Sequence, residues 1–455
     1  MSEIPAILER VLSMSKADAC IVIGARRSTA NVRWANNTST TNGLAESEDL
    51  VIISIIDERV GTIARNHFPD EQLEDLVRES EAACDGKPAA EDAMPLLEGD
   101  GTPPADWSAP PAATTLGVFR GFSEGLADLF GRASSTGMKL FGYAEHETTT
   151  YWLATSSGLR KRYTQPAGKV EITGKSNDYL RSSWTGQVTT TFTDLDLEGM
   201  YAKLEQRLDW SKTMLKLEPG RYEVLLEPAA VADMGLYQMY ESAARDADEG
   251  RTVFSKPGGG NRIGEKLMAG SVSLYSDPHE PGLEVLPFSL AMGSSSFQSV
   301  FDNGLETGRS EWVRDGVLRA LITTRYWAQR TGAPGPVPFV PNMIMPGDGP
   351  SLDDMIARTK RALLVTSFWY IREVDPQTLL LTGLTRDGVF LIEDGEVKGA
   401  VNNFRYNMSP VQMFANVTEV GSSVPTATRE FEIALCKFPA VRVRDFFMSS
   451  VSEAT

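Results

Sequence analysis

The sequence predicts an α+β protein of two domains with largely antiparallel sheets, and three observations lead to this fold class. A chain of 455 residues is too long for one ordinary hydrophobic core. Short β-rich runs follow one another directly, which is not the strand–helix–strand order of a doubly wound sheet. Helix propensity collapses at residues 217–220, Leu-Glu-Pro-Gly, and a strand begins there. We therefore predict an N-terminal α+β domain at 1–216 and a C-terminal β-rich α+β domain at 217–455.

The first domain is predicted to combine helices with short strands. Pro69 and Asp70 form a helix-start signal, so residues 70–84 are predicted as an acidic amphipathic helix. Residues 85–118 are rich in Pro and Ala and lack periodicity, which predicts a surface loop. The other predicted helices are 3–15, 121–135 and 195–215, and the predicted strands are 19–25, 30–36, 50–57, 61–67, 138–145, 149–155, 159–163 and 169–174.

The second domain is predicted to open with a strand at 221–226 and a helix at 229–246. Acidic residues and a glycine at 393–396 indicate a hairpin turn rather than a general acid/base pair. The other β-rich stretches are 312–327, 362–372, 378–400 and 431–446.

The charge of the chain argues against two classes of partner. It has 44 basic and 61 acidic residues, a net charge of −17, which repels nucleic acid and anionic membrane surfaces. The densest basic cluster, Arg160 to Arg162, is interpreted as the solvated face of a strand. The longest apolar stretch, 362–371, is about half of what a membrane-spanning helix needs. We predict binding to neither nucleic acid nor membrane.

The cysteines and the start of the chain indicate the cytoplasm. Cys20, Cys84 and Cys436 form no C-x-x-C pair, which suits a reducing compartment, and all three are interpreted as structural. The first residues have neither the basic nor the apolar region of a secretory signal.

Two histidine-containing segments are candidates for metal binding. His146 begins the sequence His-Glu-Thr-Thr-Thr-Tyr, in which Tyr151 stands where an H-E-x-x-x-H motif has its second histidine. Such ligands must share one face of a helix, but the threonines and aromatics here are typical of a strand. His279 lies between two prolines and is predicted in a surface turn. We therefore interpret both histidines as structural.

Several segments, taken together and in this order, resemble the TldD/PmbA family, once described as modulators of DNA gyrase and now understood as peptidases and their partner subunits. The segments lie along most of the chain. They are Arg-Trp-Ala-Asn-Asn at 33–37, Ser-Ser-Gly-Leu at 156–159, Gly-Arg-Tyr-Glu-Val-Leu-Leu-Glu-Pro at 220–228, Gly-Val-Leu at 316–318, Asn-Met-Ile-Met-Pro-Gly at 342–347, Ser-Leu-Asp-Asp-Met-Ile at 351–356, Gly-Leu-Thr-Arg-Asp-Gly at 383–388 and Ile-Glu-Asp-Gly-Glu at 392–396.

The resemblance also implies a role within the family. Catalytic TldD-type members carry H-E-x-x-x-H on the helix after the opening strand of the C-terminal domain, and a later cysteine completes the zinc site. The matching helix at 229–245 has no histidine, and Cys436 comes later than that ligand would. The resemblance therefore implies a PmbA (TldE)-like, non-catalytic subunit, with no catalytic residue, metal ligand or cofactor in this chain. Zinc is expected in a TldD-like partner of a heterodimer that cleaves unfolded peptides, in maturation or turnover.

A β-rich subunit of this type can hold an extended peptide by strand addition. Trp369, Tyr370, Thr385 and Arg386 are the predicted peptide-binding residues, although large aromatics on strands often pack in the core.

Two alternatives remain at this stage. The chain is a metallopeptidase in its own right if its fold brings together ligands from His67, His146 and His279. It is a stand-alone peptide-binding scaffold if it acts without any protease.

Overall fold

Two β-sheets organise the chain, and the smaller one is entirely antiparallel. The computed structural model describes residues 3–453. The smaller sheet has six strands in the order β3-β2-β1-β4-β5-β6. Its strands are β1 (Ala19–Ala35), β2 (Thr38–Ile56), β3 (Arg59–Arg65), β4 (Lys139–Thr155), β5 (Arg160–Lys175) and β6 (Ser182–Val188).

Four helices cover one face of this sheet, because the long strands place alternate side chains on opposite faces. They are α1 (Ile4–Met14), α2 (Leu73–Ala82), α3 (Arg120–Thr136) and α4 (Leu197–Trp210). Val22 of β1 packs with α1 and α2, whereas Ala30, farther along the same face, packs with α3 and α4. Ile21 points to the other face and packs against Phe301 from the second half of the chain.

Fourteen strands of the described residues form the larger, mixed sheet. Its main path runs β11-β10-β9-β12-β20-β8-β13-β16-β17-β7, and β14, β15, β18 and β19 attach to the side of this path. Most of its pairs are antiparallel, which confirms the predicted α+β class with largely antiparallel sheets. The strands are β7 (Met214–Leu215), β8 (Gly220–Leu226), β9 (Leu274–Ser276), β10 (Ser310–Arg314), β11 (Val317–Leu318), β12 (Asn342–Ile344), β13 (Arg361–Val365), β14 (Phe368–Asp375), β15 (Leu380–Thr385), β16 (Val389–Glu393), β17 (Glu396–Val401), β18 (Phe404–Met408), β19 (Val417–Pro425) and β20 (Leu435–Val451).

One helix of the second half lies in the core. It is α5 (Pro228–Tyr240), whose residues are buried on almost every side because β-strands and the loop at 426–434 surround it. The shorter helices are α6 (Ala244–Asp248), α7 (Arg325–Thr331), α8 (Leu352–Ala357) and α9 (Pro410–Ala415). None of the helices within residues 3–453 is long and apolar enough to cross a membrane.

Several predicted boundaries differ from the structure for local reasons. The predicted helix at 195–215 ends at Trp210, where the hydroxyl of Ser211 donates to the carbonyl of Arg207. The prediction of a β-rich stretch at 312–327 is wrong at its end, because α7 begins at Arg325. The hydroxyl of Thr324 caps that helix by accepting the N–H of Trp327.

The segment at 85–118 has no regular structure before a short 3₁₀ helix at Leu116–Phe119. It is nevertheless anchored to the small sheet, since Trp107 is buried and its carbonyl accepts the indole N–H of Trp152 at 3.0 Å.

Candidate functional site

The predicted peptide-binding residues lie where the two sheets approach each other. Trp369 and Tyr370 belong to β14, an edge strand that, in the described part of the chain, pairs with β15 alone. Their exposed fractions are 36% and 54%. Arg386 follows β15 in the turn to β16. Thr385 differs from these three, because it is 1% exposed and its hydroxyl accepts the N–H of Phe404 at 2.9 Å. Its side chain therefore supports the turn from the interior.

A stack of aromatic rings and guanidinium groups joins β14 to the small sheet. The guanidinium of Arg429 lies 5.2 Å from the ring centre of Trp369 and 5.3 Å from that of Trp184, on β6. The guanidinium of Arg386 lies 5.4 Å from the ring of Trp369. Each contact is within the range of a cation–π interaction. Trp184 and Arg429 were not predicted, because no local motif marks either residue.

A buried carboxylate fixes this stack. Asp387 forms an ion pair with Arg429 and accepts a hydrogen bond from the hydroxyl of Ser182, on β6. Burial raises the pKa of Asp387, but Arg429 and Ser182 outweigh it, so that the pKa is lowered and the group is ionised. Arg429 also donates to the hydroxyl of Ser367 at 2.9 Å. We call Ser182, Trp184, Trp369, Arg386, Asp387 and Arg429 the junction cluster.

The loop at 426–434, which carries Arg429, is held from below by α5. The carboxyl group of Asp233, in the middle of that helix, is fully buried and accepts the backbone N–H groups of Arg429 and Glu430, each at 3.2 Å. Burial raises the pKa of Asp233 to about 8, and the nearby carboxylate of Glu430 acts in the same direction. Asp233 therefore anchors the loop on the helix.

The same loop closes part of the β14 edge. The carboxylate of Glu430 accepts the backbone N–H of Tyr370 and, at 3.0 Å, that of Ile371. The hydroxyl of Tyr237 donates to the carbonyl of Ile371 at 3.0 Å. A peptide adding to β14 at this point would have to displace Glu430.

The side chains around α5 do not fit a zinc ion. The carboxyl oxygens of Asp233 are already bonded to the loop backbone. Cys436 is fully buried, its thiol donates to the carbonyl of Thr426 at 3.2 Å, and burial raises its pKa, whereas zinc requires the thiolate. Within residues 3–453, no three His, Cys, Asp or Glu side chains lie close enough together to hold a metal ion.

None of the three histidines lies on α5 or in the loop at 426–434. His146 lies in β4, as the predicted strand requires, and is buried. Its ring nitrogens lie 2.7 Å from the hydroxyl of Thr114 and 3.0 Å from the carbonyl of Thr190. Burial lowers its pKa, so the neutral ring has a structural role. His67 and His279 lie in exposed loops.

Comparison with known proteins identifies similar chains. Residues 219–450 match the family model described as the PmbA/TldA metallopeptidase C-terminal domain. The fold resembles that of TldE from Thermococcus kodakarensis, with 16% sequence identity, a TM-score of 0.78 and coverage of 97% of this chain and 98% of that chain. It also resembles a proposed modulator of a DNA gyrase from Thermotoga maritima, with 14% identity, a TM-score of 0.77 and coverage of 98% and 100%. No curated protein matches the chain in sequence.

Proposed function

Because the chain belongs to the PmbA/TldD family of metallopeptidase-type proteins, we propose that it is the TldE-like, non-catalytic subunit of a heterodimeric zinc peptidase. The zinc ion and the catalytic residues belong to a TldD-like partner. The single observation that carries this proposal is that α5 has no histidine and that its buried carboxyl group, on Asp233, is already bonded. Where catalytic relatives carry zinc-binding histidines, this helix presents Asp233, whose carboxyl group is bonded to the loop backbone.

The fold comparison adds support, because the similarity to TldE extends over both sheets and 97% of the chain. At 16% identity this similarity concerns the fold. The assignment to the non-catalytic subunit therefore depends on α5 and its surroundings.

In this proposal the junction cluster contacts the substrate. Trp369 and Arg386 offer a half-exposed aromatic face and a cation to an extended, unfolded peptide on its way to the partner's zinc. The net charge of −17 disfavours nucleic acid and membrane surfaces as alternative partners. Peptide maturation or turnover in the cytoplasm is the corresponding biological role.

Zinc analysis of the purified chain, alone and with a TldD-like partner, tests the proposal. We expect zinc and peptidase activity only in the co-purified pair. The matched control is a partner whose H-E-x-x-x-H histidines are replaced by Ala, which should still form the pair but hold no zinc.

Other outcomes would select the alternative functions. About one zinc per isolated chain, the content of a mononuclear site, would make this chain a metallopeptidase itself. Peptide binding without any association with a TldD-like protein would make it a stand-alone scaffold.

A further inference from the structure

A cleft opens beside the junction cluster, between the small sheet and the turn that follows β15. Its volume is about 450 Å³, within the range of small-ligand sites. Strands β5 and β6 contribute one wall, and the turn at 386–388 contributes the other. Val389, Ala400 and Val401 provide an apolar part of the lining, and Met214 is exposed beside them.

The charge of the cleft is opposite to that of the whole chain. Lys175, Arg181, Arg386 and Arg429 line it together with one carboxylate, that of Asp387, so its formal charge is 4 − 1 = +3. The chain as a whole carries −17. Clustered cations repel one another, and an anion bound between them would relieve this repulsion.

Three of these cations lack a carboxylate partner at hydrogen-bond distance among residues 3–453. Asp387 is already bonded to Arg429 and Ser182, and its nearest oxygen is 3.7 Å from Nε of Arg386. That Nε is buried without a hydrogen-bond acceptor.

The other two cations form no ion pair with a residue of the cleft lining, although the carboxylate of Asp178, outside the lining, is near enough for the charge of Arg181 to help lower its pKa. Arg181 donates to the carbonyl of Leu208 at 3.3 Å, and the ammonium of Lys175 lies 5.6 Å from the ring of Phe141. Donors for an anion are therefore present on both walls of the cleft.

We propose that this cleft binds the C-terminal carboxylate of an extended peptide, with Lys175, Arg181 and Arg386 as its ligands. The inference rests on the proposed function, since it identifies which end of the peptide this subunit holds. A guanidinium matches a carboxylate in geometry and charge, and the apolar lining accommodates the side chain of the last residue. Arg386 contacts both the cleft and Trp369, so the rest of the peptide passes along the junction cluster.

Calorimetric titration of the isolated chain with two matched peptides tests the cleft. Both are short, unstructured sequences of Gly, Ser and Thr that end in Leu, one with a free carboxylate and one with an amide. We expect the free acid to bind on the order of tenfold more tightly, the effect of a hydrogen bond between charged groups. Lys175→Gln combined with Arg181→Gln removes two of the three ligands and should reduce this difference, whereas Lys266→Gln, at an exposed position outside the cleft, should preserve it.

Three results would overturn the proposal. The first is equal affinity for acid and amide, or no binding of either. The second is a preference for the acid that is undiminished in the double variant. The third is an amidated peptide with an internal Glu that binds as well as the free acid, or inorganic phosphate that displaces the acid at similar concentration. None of these results bears on zinc or on pairing with a TldD-like partner, so the two proposals can fail separately.

Discussion

Two buried arginine–carboxylate pairs lie where the two halves of the chain meet, and they differ in their surroundings. Arg207 and Glu227 join the halves directly, whereas Arg429 and Asp387 both belong to the second half and contact the first through Trp184 and Ser182. Arg207 of α4 donates to both oxygens of Glu227 at 2.6 and 2.5 Å and to the carbonyl of Trp184 at 2.7 Å. Arg429 forms an ion pair with Asp387, but two tryptophan rings flank its guanidinium and the cationic cleft lies beside it.

Burial alone does not distinguish these pairs. The side chains of Arg207 and Glu227 are 5% and 11% exposed, and those of Arg429 and Asp387 are 10% and 7% exposed. The first guanidinium is bonded to a carboxylate and a carbonyl inside the protein, so its role is structural. The second pair lies beside further cations that have no carboxylate at hydrogen-bond distance among residues 3–453, and beside a half-exposed tryptophan, so its charge can also act on a ligand.

The largest expected effect on stability is at Arg207 and Glu227, which we call the enclosed pair. Arg207→Ala leaves the carboxylate of Glu227 buried without its counter-charge, so we expect the free energy of unfolding to fall by about 3–5 kcal/mol. Urea-induced unfolding followed by tryptophan fluorescence measures this change. The double variant with Glu227→Ala serves as the control and should recover part of the loss. A loss below about 1 kcal/mol, the value of a surface pair, would contradict the structural role.

A smaller effect on stability, together with an effect on binding, is expected at the junction. Asp387→Asn keeps the volume and an acceptor for Ser182 but removes the charge that holds Arg429, which should cost about 1–3 kcal/mol. The same change removes the only carboxylate that lines the cleft among residues 3–453, so a peptide with a free carboxylate should bind more tightly. Calorimetric titration measures the affinity. Glu227→Gln, at the enclosed pair, should leave it unchanged, and weaker binding to the Asp387→Asn variant would argue against an anion site.

The elements of the fold were predicted more accurately than the site, because they depend on local periodicity. The helix predicted at 121–135 is α3, Arg120–Thr136, since its apolar residues recur on one face and Gly137 ends it in a left-handed conformation. The runs predicted at 19–25 and 30–36 are one strand, β1, because continuous pairing with β2 and β4 compensates for the polar residues between them.

The junction cluster depends on contacts that local patterns do not record. Ser182 and Asp387 are 205 positions apart in the chain, and Arg429 is reached only when the loop before β20 folds back over α5. Trp369 and Arg386 were predicted as peptide-binding residues from residue type alone. Nothing in the sequence indicated that Arg429 would separate two tryptophans, since this requires the edges of two sheets to meet.

The pH dependence of the free energy of unfolding tests whether the carboxyl group of Asp233, which holds the loop at 426–434 on α5, is buried with a raised pKa. In the unfolded chain the carboxyl group of Asp233 ionises near its ordinary pKa of about 4, whereas burial raises the pKa in the fold to about 8. Between these values the folded state keeps a proton that the unfolded chain has lost, so stability falls as the pH rises. Asp233→Asn cannot titrate, and its stability relative to the wild type should therefore increase across this range.

Urea unfolding at a series of pH values measures this difference. Asp353→Asn, at an exposed position of α8, is the control for the loss of one negative charge. If the free energies of unfolding of the wild type and of Asp233→Asn differed by a constant amount from pH 4 to pH 8, the buried carboxyl group would have its ordinary pKa.

The smallest expected effect on stability is at Trp369, which is partly exposed at the edge of the cluster. Trp369→Ala should lower the free energy of unfolding by less than about 1 kcal/mol, as at other surface positions. Binding of the free-carboxylate peptide should weaken on the order of tenfold, because the aromatic face next to Arg386 is lost. Trp369→Phe keeps an aromatic face and should restore most of the affinity. If Trp369→Ala lost stability without losing affinity, Trp369 would have a structural role, like that of Arg207 and Glu227, and would not belong to the binding surface.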